Sequence, residues 1–188
     1  CIHSYSLIHD DLPCMDDDKT RRGKPATHIR FGESTAILAG NSLLTLAFEI
    51  IVDKSYKIEN KAKTELVKSL AHCSGHVGIA GGQYLDLNFE KKKKSLADIL
   101  DMQRKKTGKL FNFCSQAVGI IAKKNNSELE SLGKLGEDIG LLFQFADDFI
   151  DIKGLKKIAG KSIKKDQIKG KSTLVALIGY EKAYTYAT

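Results

Sequence analysis

Tryptophan is absent from this sequence, and proline occurs only twice in 188 residues, at Pro13 and Pro25. Because proline interrupts helices, a chain that holds so little of it can form long continuous helices. Alternation of apolar and polar residues with a period of two, which is typical of half-buried strands, is also missing. We therefore expect an all-α fold, and the length suits a single domain over residues 1–188.

Paired cysteines are missing as well. The four cysteines are Cys1, Cys14, Cys73 and Cys114, and they form neither a C-x-x-C motif nor a zinc-ligand spacing. We therefore expect reduced thiols in a cytoplasmic protein. We find no apolar run of the roughly 18–20 residues that cross a membrane and no signal peptide, so we expect no stable membrane insertion.

The net charge is +7 at pH 7, which is typical of proteins that bind nucleic acid, a membrane surface or a small polyanion. The lysines occur in short runs, such as residues 91–94, and form no basic arm with interleaved aromatic residues. This distribution predicts that the protein does not bind nucleic acid. Most lysines are expected to be solvated surface residues, and a small polyanion is the partner that would explain the others.

Apolar periodicity and capping signals predict six helices. They cover residues 2–15, 34–53, 61–88, 95–123 and 127–152, and the last begins at Ser172. The helix at 61–88 is expected to be broken or closely packed around its glycines, and the segments 16–33 and 153–171 are predicted loops. The segment 34–53 is apolar on nearly every face, which predicts a buried core helix. Two capping boxes are expected, at Ser95 with Asp98 and at Ser127 with Glu130.

Two aspartate clusters follow apolar helical segments. The first contains Asp10, Asp11 and Asp16, then Asp17 and Asp18, and the second contains Asp147, Asp148 and Asp151. Carboxylates that share a helix face, as Asp147 and Asp151 would at a spacing of four, repel each other unless a cation binds. Mg²⁺ suits such sites because it combines one or two carboxylates with substrate phosphates. Two clusters facing each other would hold a diphosphate through metal ions, whereas the alternative is two solvated acidic helix ends.

A diphosphate also needs cationic side chains. Arg21 and Arg22 follow the first cluster, and guanidinium groups bind phosphate through two parallel hydrogen bonds. The other candidates are Lys106, which precedes Thr107 in a predicted helix, and Lys161 and Lys171, on either side of Asp166. For each single lysine, surface charge is the alternative interpretation.

Histidines give a weaker signal. His9 directly precedes the first cluster and would either orient a carboxylate or serve the structure. The same two interpretations apply to His28 and Gln83. The remaining histidines, which are His3, His72 and His76, have no zinc-binding spacing with the cysteines.

Taken together, these motifs resemble those of bacterial and plastid-type polyprenyl synthases over nearly the whole chain. The matching segments are Ser6 to Asp18, Arg21-Arg22-Gly23-Lys24-Pro25, His28-x-x-Phe31-Gly32-Glu33, Gly82-Gln83-x-x-Asp86-Leu87, Lys106-Thr107-Gly108, Phe143-Gln144-x-x-Asp147-Asp148-x-x-Asp151 and Gly160-Lys161…Asp166…Gly170-Lys171-Ser172-Thr173. A single D-D-x-x-D motif would be weak evidence, but the segments in this order are specific.

The resemblance implies an all-α isoprenoid-synthase bundle with a central active-site cavity, a homodimer and three Mg²⁺ ions. Its implied chief metal ligands are Asp10, Asp16 and Asp147, with Asp11, Asp148 and Asp151 ligating or supporting. Its implied substrate contacts are Arg21, Lys106 and Lys161 to the allylic diphosphate, Arg22 to isopentenyl diphosphate, and Lys171 as a further basic residue. Thr107 and Gln144 would face the developing cation, which makes Lys106, Thr107, Gln144 and Lys161 the implied catalytic set.

The activity implied by the resemblance is Mg²⁺-dependent head-to-tail condensation of dimethylallyl or geranyl diphosphate with isopentenyl diphosphate. Tyr5 lies five residues before Asp10, about 7.5 Å along a helix, and an aromatic residue there usually accompanies short products in this family. We therefore expect farnesyl diphosphate as the product, with Tyr5 as part of the cavity floor. A geranylgeranyl diphosphate synthase is the alternative.

Three other activities compete with this interpretation. A terpene cyclase usually has Asn or Asp, Ser or Thr, and Glu ligands in its second motif, unlike Asp147-Asp148-x-x-Asp151. A non-catalytic partner subunit usually loses one aspartate motif, whereas this sequence has two. A head-to-head condensing enzyme is a weaker rival. The family's N-terminal Gly-Lys-x-x-Arg segment and its last helices have no match, so we expect a chain that is truncated at both ends.

Overall fold

The computed structural model describes residues 1–90, 92–153 and 173–187, and nearly all of its regular structure is helical. This confirms the all-α expectation. Contacts within the chain define two compact units, Cys1–Ala71 and His72–Thr188. The single-domain interpretation of residues 1–188 stays a prediction.

The first unit is organised around one long helix, α3. Its elements are α1 (Ile2–Asp10), β1 (Thr20–Arg21), β2 (Lys24–Pro25), α2 (Thr27–Phe31), α3 (Glu33–Val52) and the larger part of α4 (Asn60–Ser74). Helices α1 and α2 both pack against α3. The approach of α1 is close at Gly40, where a Cβ atom would lie 2.1 Å from Nε2 of His9. His9 therefore has a packing role between α1 and α3.

The segment between α1 and α3 is more structured than predicted. Helix α1 ends at Asp10 and does not reach residue 15, because the residue before Pro13 is disfavoured in helical conformation. Residues 16–33, predicted as a loop, contain a two-stranded antiparallel hairpin and α2. Arg22 and Gly23 both have positive φ angles, 52° and 75°, as in the two-residue turns that close hairpins. Strands of two residues are too short to show a period of two.

Helix α3 was predicted to be a buried core helix, and this prediction is wrong. Its buried residues are Ala36, Gly40 and Ala47, and small residues of this kind allow neighbouring helices to approach closely. Much of its remaining apolar surface is exposed, and Leu38 is 65% exposed. The expectation that no apolar run reaches the length of a membrane span is also wrong, because α3 has 20 residues and is apolar enough, by length and composition, to cross a membrane. Core helices of soluble proteins can have the same length and apolar composition.

Within the described residues, the second unit contains four helices and a π-helical turn, followed by two further helices near its C-terminal end. Its elements are α5 (Ile79–Phe89), α6 (Leu96–Gln103), a π-helical turn (Arg104–Gly108), α7 (Lys109–Ile121), α8 (Asn126–Lys153), α9 (Leu174–Ile178) and α10 (Tyr180–Ala187). The predicted helix at 61–88 is indeed broken, between α4 and α5. At Gly78, which precedes α5, a Cβ atom would lie 1.8 Å from the carbonyl oxygen of Cys73. All four cysteines are free thiols.

Capping residues fix where two of these helices begin. The predicted box at α6 is confirmed: Oγ of Ser95 accepts from the Asp98 amide at 3.2 Å, and Oδ2 of Asp98 accepts from the Ser95 amide at 3.1 Å. At α8 the predicted Ser127–Glu130 box is wrong. Asn125 and Glu128 form the reciprocal pair instead, with both distances 3.0 Å. Asparagine caps helices as well as serine does, so the cap lies two residues before the predicted one.

The core of the second unit forms where α6, α8, α9 and α10 meet. Its buried side chains are Leu100, Leu141, Phe145, Leu174, Val175 and Ala183. Helix α8 packs along α7 and against the π-helical turn. The contact with the turn is close at Gly140, where a Cβ atom would lie 2.8 Å from Cα of Gly108. The π-helical turn is therefore held directly against α8.

Gly82 on α5 sets the distance between α5 and the π-helical turn. A Cβ atom there would lie 2.2 Å from the backbone nitrogen of Lys106. We expect Gly82→Ala to lower the free energy of unfolding, because overpacking against backbone costs about 1–3 kcal/mol and alanine's helix propensity returns at most about 1 kcal/mol. Thermal unfolding followed by circular dichroism measures this change.

Gly133→Ala is the matched control for Gly82→Ala. A Cβ atom at Gly133, on α8, meets the ends of two flexible side chains, Gln116 and Asn112, which can move aside. We expect little change or a small gain in stability from this variant. Equal destabilisation by the two variants would contradict the proposed close contact at Lys106.

Candidate active site

The first aspartate cluster is shaped by a loop that folds back onto the end of α1. The backbone amide of Asp16 donates to the carbonyl oxygen of Asp10 at 2.8 Å, and the amide of Asp18 donates to that of Asp11 at 3.1 Å. These bonds bring Asp10 and Asp16 to the same end of the helix. Both are half-buried, whereas Asp11 and Asp18 are buried. The cluster therefore has a partly accessible pair and a buried pair.

Arg21 on β1 binds the buried pair. Its guanidinium contacts Oδ1 of Asp11 through two nitrogens, Nη2 and Nε, and the Nε distance is 3.1 Å. Nη2 also lies 3.5 Å from Oδ2 of Asp18. Burial raises the pKa of the Asp11 carboxyl, and Arg21 opposes this rise. Burial alone would lower the pKa of Arg21, but Asp11 and then Asp18 raise it overall. In this arrangement Asp11 supports the loop and Arg21 stays charged.

Arg22, at the hairpin turn, contacts His3 on α1. Its Nη2 is 3.2 Å from Nε2 of His3. Partial burial, followed by the charges of Arg22 and Arg21, lowers the pKa of His3. A neutral imidazole can accept a hydrogen bond from Arg22. The sequence gives no signal for this contact, because the two residues are 19 positions apart and only the hairpin brings them together.

In the second unit, the π-helical turn connects several of the predicted residues. Nζ of Lys106 lies 2.6 Å from Oδ2 of Asp86 on α5. Thr107 donates its hydroxyl to Oε1 of Gln144 on α8 at 3.1 Å. π-helical turns within α-helices are frequent at functional sites. The structure thus brings Lys106, Thr107 and Gln144 into one region, and adds Asp86 as a partner of the lysine.

The second aspartate cluster continues this hydrogen-bonded row. Gln144 donates through Nε2 to Oδ1 of Asp148 at 2.9 Å, and Gln103 donates to Oδ2 of Asp148 at 3.3 Å. Asp148 is 2% exposed, whereas Asp147 is half-buried. Asp148 is therefore engaged by amide donors, and Asp147 is the more accessible carboxylate of the two.

Comparison with known proteins identifies the family of this chain. Residues 1–187 match the family described as polyprenyl synthetase. The chain belongs to the polyprenyl synthetase family. It is 45% identical over 185 residues to farnesyl diphosphate synthase of Escherichia coli, and 41% identical over 183 residues to that of Bacillus subtilis. Each alignment covers 97% of this chain and 62% of the relative.

Solved structures agree with this assignment. A geranyltransferase from Helicobacter pylori, solved with magnesium and isoprenyl diphosphate, matches with a TM-score of 0.90 and 35% identity over 100% of this chain and 61% of its own. An FPP/GFPP synthase from Zymomonas mobilis matches with a TM-score of 0.86 and 41% identity over 100% and 62%. The helical isoprenoid-synthase fold is confirmed, and the chain spans less than two thirds of the length of these relatives.

The residues of this polyprenyl synthetase chain fit a magnesium ion by their chemistry. The accessible carboxylates of both clusters offer hard oxygen ligands, and a backbone hydrogen bond brings two of the residues that carry them, Asp10 and Asp16, close together. No group of three or more His, Cys, Asp or Glu side chains within residues 1–90, 92–153 and 173–187 could hold a metal by itself. Mg²⁺ needs only one or two protein carboxylates when it shares its coordination with substrate phosphates.

The roles of several predicted site residues stay predictions. Lys161 and Lys171 lie outside the described residues. Asp151 is in the last turn of α8, and its side chain is not among those described. Gln83 and His28 are buried, and their side-chain nitrogen and oxygen atoms have no hydrogen-bond partner in the part of the chain that the structure describes. Both interpretations of these two residues therefore stay open.

Tyr5 lies in the interior of the first unit. It is 8% exposed and packs edge-on against His9, with ring centroids 5.7 Å apart and an interplanar angle of 86°. This position is compatible with a role in core packing and with the predicted role as a wall of the product cavity. Its role in chain length stays a prediction.

Proposed function

We propose that the protein that carries this chain is a prenyltransferase. It would join dimethylallyl or geranyl diphosphate head to tail with isopentenyl diphosphate and release farnesyl diphosphate as the main product. The observation that carries the proposal is the hydrogen-bonded row of Thr107, Gln144 and Asp148, next to Lys106 on the π-helical turn with its partner Asp86, in a polyprenyl synthetase chain with two intact aspartate clusters. Relatives named farnesyl diphosphate synthase support the product.

The allylic substrate would be bound through its diphosphate. We assign this group to Arg21, Lys106 and Lys161, with Lys171 as a further cation. We propose three Mg²⁺ ions per site, which would be held by Asp10, Asp16 and Asp147 and would offset the charge on the departing diphosphate. The Helicobacter pylori relative was solved with magnesium and isoprenyl diphosphate, which supports this assignment.

The reaction begins with heterolytic cleavage of the allylic C–O bond, and diphosphate leaves with the electron pair. The Thr107 and Gln144 side-chain oxygens would face the allylic cation and stabilise it through their dipoles. The double bond of isopentenyl diphosphate then attacks the cation to form the new C–C bond. A proton is lost from the adduct to the released diphosphate, which restores a double bond. Apolar helix surfaces would exclude water, which would otherwise quench the cation.

Isopentenyl diphosphate would be bound near the hairpin turn. We assign its diphosphate to Arg22, whose guanidinium can form two parallel hydrogen bonds with phosphate oxygens. The contact between Arg22 and His3 supports this assignment, because it orients the guanidinium while leaving most of its donors for a ligand. We further propose that the protein is a cytoplasmic homodimer that does not bind nucleic acid.

Product analysis of the full-length protein tests the proposed function. Geranyl diphosphate and labelled isopentenyl diphosphate are incubated with the protein in Mg²⁺ or in EDTA, and the products are separated by chain length. The proposal predicts a labelled fifteen-carbon diphosphate in the presence of Mg²⁺ and no such product in EDTA. A cyclic hydrocarbon without label would indicate a terpene cyclase, a twenty-carbon product a geranylgeranyl diphosphate synthase, and no product a non-catalytic subunit.

A further inference from the structure

We propose that Gln103 is a positioning residue that controls, through Asp148, which atom of the Gln144 amide faces the reacting cation. The reaction itself is that of the proposed function, on which this inference rests. The evidence for the arrangement is the row of hydrogen bonds that joins Gln103, Asp148, Gln144 and Thr107 across three elements of the second unit.

The direction of every hydrogen bond in this row follows from Asp148. An ionised carboxylate only accepts hydrogen bonds, whereas an amide has a donor end and an acceptor end. Oδ1 of Asp148 lies 2.9 Å from Nε2 of Gln144, and Oδ2 lies 3.3 Å from Nε2 of Gln103. Both amides must therefore turn their NH₂ groups toward the carboxylate. The oxygen of Gln144 then points to Thr107, whose hydroxyl donates to it.

Burial makes this arrangement rigid. Asp148 is 2% exposed and Gln103 is 3% exposed, so solvent offers little alternative to these bonds. The two amide donors come from different helices, Gln103 from the end of α6 and Gln144 from α8. A carboxylate held from two helices cannot rotate without breaking a bond. Its orientation is therefore fixed by Gln103 as well as by Gln144.

Packing alone does not explain a glutamine at position 103. Its Oε1 is buried and has no hydrogen-bond partner within the described residues, and a buried acceptor without a partner lowers stability. An apolar side chain of similar size would avoid that cost. The feature that such a side chain would lose is the NH₂ group that donates to Asp148.

The consequence for catalysis concerns the Gln144 oxygen. In the fixed orientation its partial negative charge is available to the allylic cation, whereas a flipped amide would present its partially positive NH₂ group. Loss of the Gln103 donor frees the Asp148 carboxylate to rotate and lets the Gln144 amide flip. Because the cation exists only after the C–O bond breaks, the effect falls on kcat and leaves substrate binding nearly unchanged.

The test uses three variants of the full-length protein. Gln103→Met keeps the length of the side chain and removes the donor, whereas Gln103→His restores an N–H donor of similar reach. Gln116→Met on α7 is the control, because Gln116 is half-buried in the same unit and packs beside Gly133. Steady-state kinetics in both diphosphates and in Mg²⁺ are measured together with melting temperatures.

We expect Gln103→Met to lower kcat by about tenfold or more, the scale for losing a hydrogen bond to a charged group, and to change each KM and the Mg²⁺ half-saturation by less than about twofold. Gln103→His should recover most of the loss, and Gln116→Met should be unaffected. An unchanged kcat would overturn the inference. So would a loss that accompanies weaker Mg²⁺ binding, or one that Gln103→His does not recover.

A measurement that needs no activity separates this inference from the proposed function. In protein labelled with ¹⁵N-glutamine, the side-chain NH₂ signals of Gln144 should be protected from solvent exchange in the natural sequence and exposed in Gln103→Met. If the natural protein makes no prenyl product, the proposed function fails, but these signals still decide whether Gln103 holds Asp148 and Gln144. Unchanged protection in Gln103→Met would overturn the positioning role.

Discussion

Replacing Asp10 or Asp147 by asparagine is expected to lower kcat of the full-length protein on the order of 10²-fold or more, because each change would remove a charged oxygen ligand from the proposed Mg²⁺ site for the leaving diphosphate. Both side chains are half-buried, and asparagine keeps their size. The helices should therefore remain intact. Steady-state kinetics and far-ultraviolet circular dichroism of the two variants provide the measurement.

Asp17→Asn is the matched control for these variants. Asp17 is exposed and has a positive φ angle of 47°, a conformation that asparagine adopts as readily as aspartate does. The same change of charge in the same cluster should leave kcat nearly unaltered. Near-normal turnover of Asp10→Asn or Asp147→Asn, or an equal loss in Asp17→Asn, would contradict the assignment of metal ligands.

Tyr5→Ala is expected to shift the main product from fifteen carbons to twenty or more. Tyr5 lies one and a half helical turns before Asp10 on α1, about 7.5 Å along the axis, and its ring is buried. A chain that grows from diphosphate held at Asp10 would extend along this helix, and removing the ring would lengthen the space available to it. Products are separated by chain length after incubation with geranyl and isopentenyl diphosphates.

Two further variants separate the cavity from general core packing. Tyr5→Phe keeps the ring and should keep the fifteen-carbon product. Ile2→Ala opens a space at another buried position of α1 and should lower stability, since truncating a large buried side chain costs about 2–5 kcal/mol, without changing the product. If Tyr5→Ala lowers stability but leaves the product distribution unaltered, Tyr5 is a packing residue and does not set the chain length of the product.

Local features of this fold could be predicted from the sequence because they depend on neighbouring residues. The capping box of Ser95 and Asp98 and the break before α5 follow from short spacings and from glycine. The hairpin could not be predicted, since its strands are too short for a periodic pattern and its turn places Arg22 in a rare backbone conformation. The exposure of α3 was also invisible, because apolar composition does not show which faces a neighbour covers.

In the candidate site too, some features could be predicted from the sequence and others could not. The aspartates, Lys106, Thr107 and Gln144 could be predicted because each belongs to a short motif. The partners of those residues could not: Gln103 and Asp148 are 45 positions apart, and His3 and Arg22 are 19 apart. Such contacts arise from the packing of helices, and a single sequence carries no signal for them. They are the contacts that decide which carboxylates are engaged and which are accessible.

Titration of the full-length protein with inorganic diphosphate, followed by calorimetry with and without Mg²⁺, tests most directly whether the two aspartate clusters act on one metal-bound diphosphate. We predict that diphosphate binds at least ~10-fold more tightly in Mg²⁺ than in EDTA. Without metal the carboxylates would repel the anion, whereas a bound Mg²⁺ would be coordinated by carboxylates and diphosphate oxygens together. Asp10→Asn and Asp147→Asn should each abolish this Mg²⁺-dependent gain. Equal affinity in Mg²⁺ and in EDTA, or a gain that survives in either variant, would contradict the account.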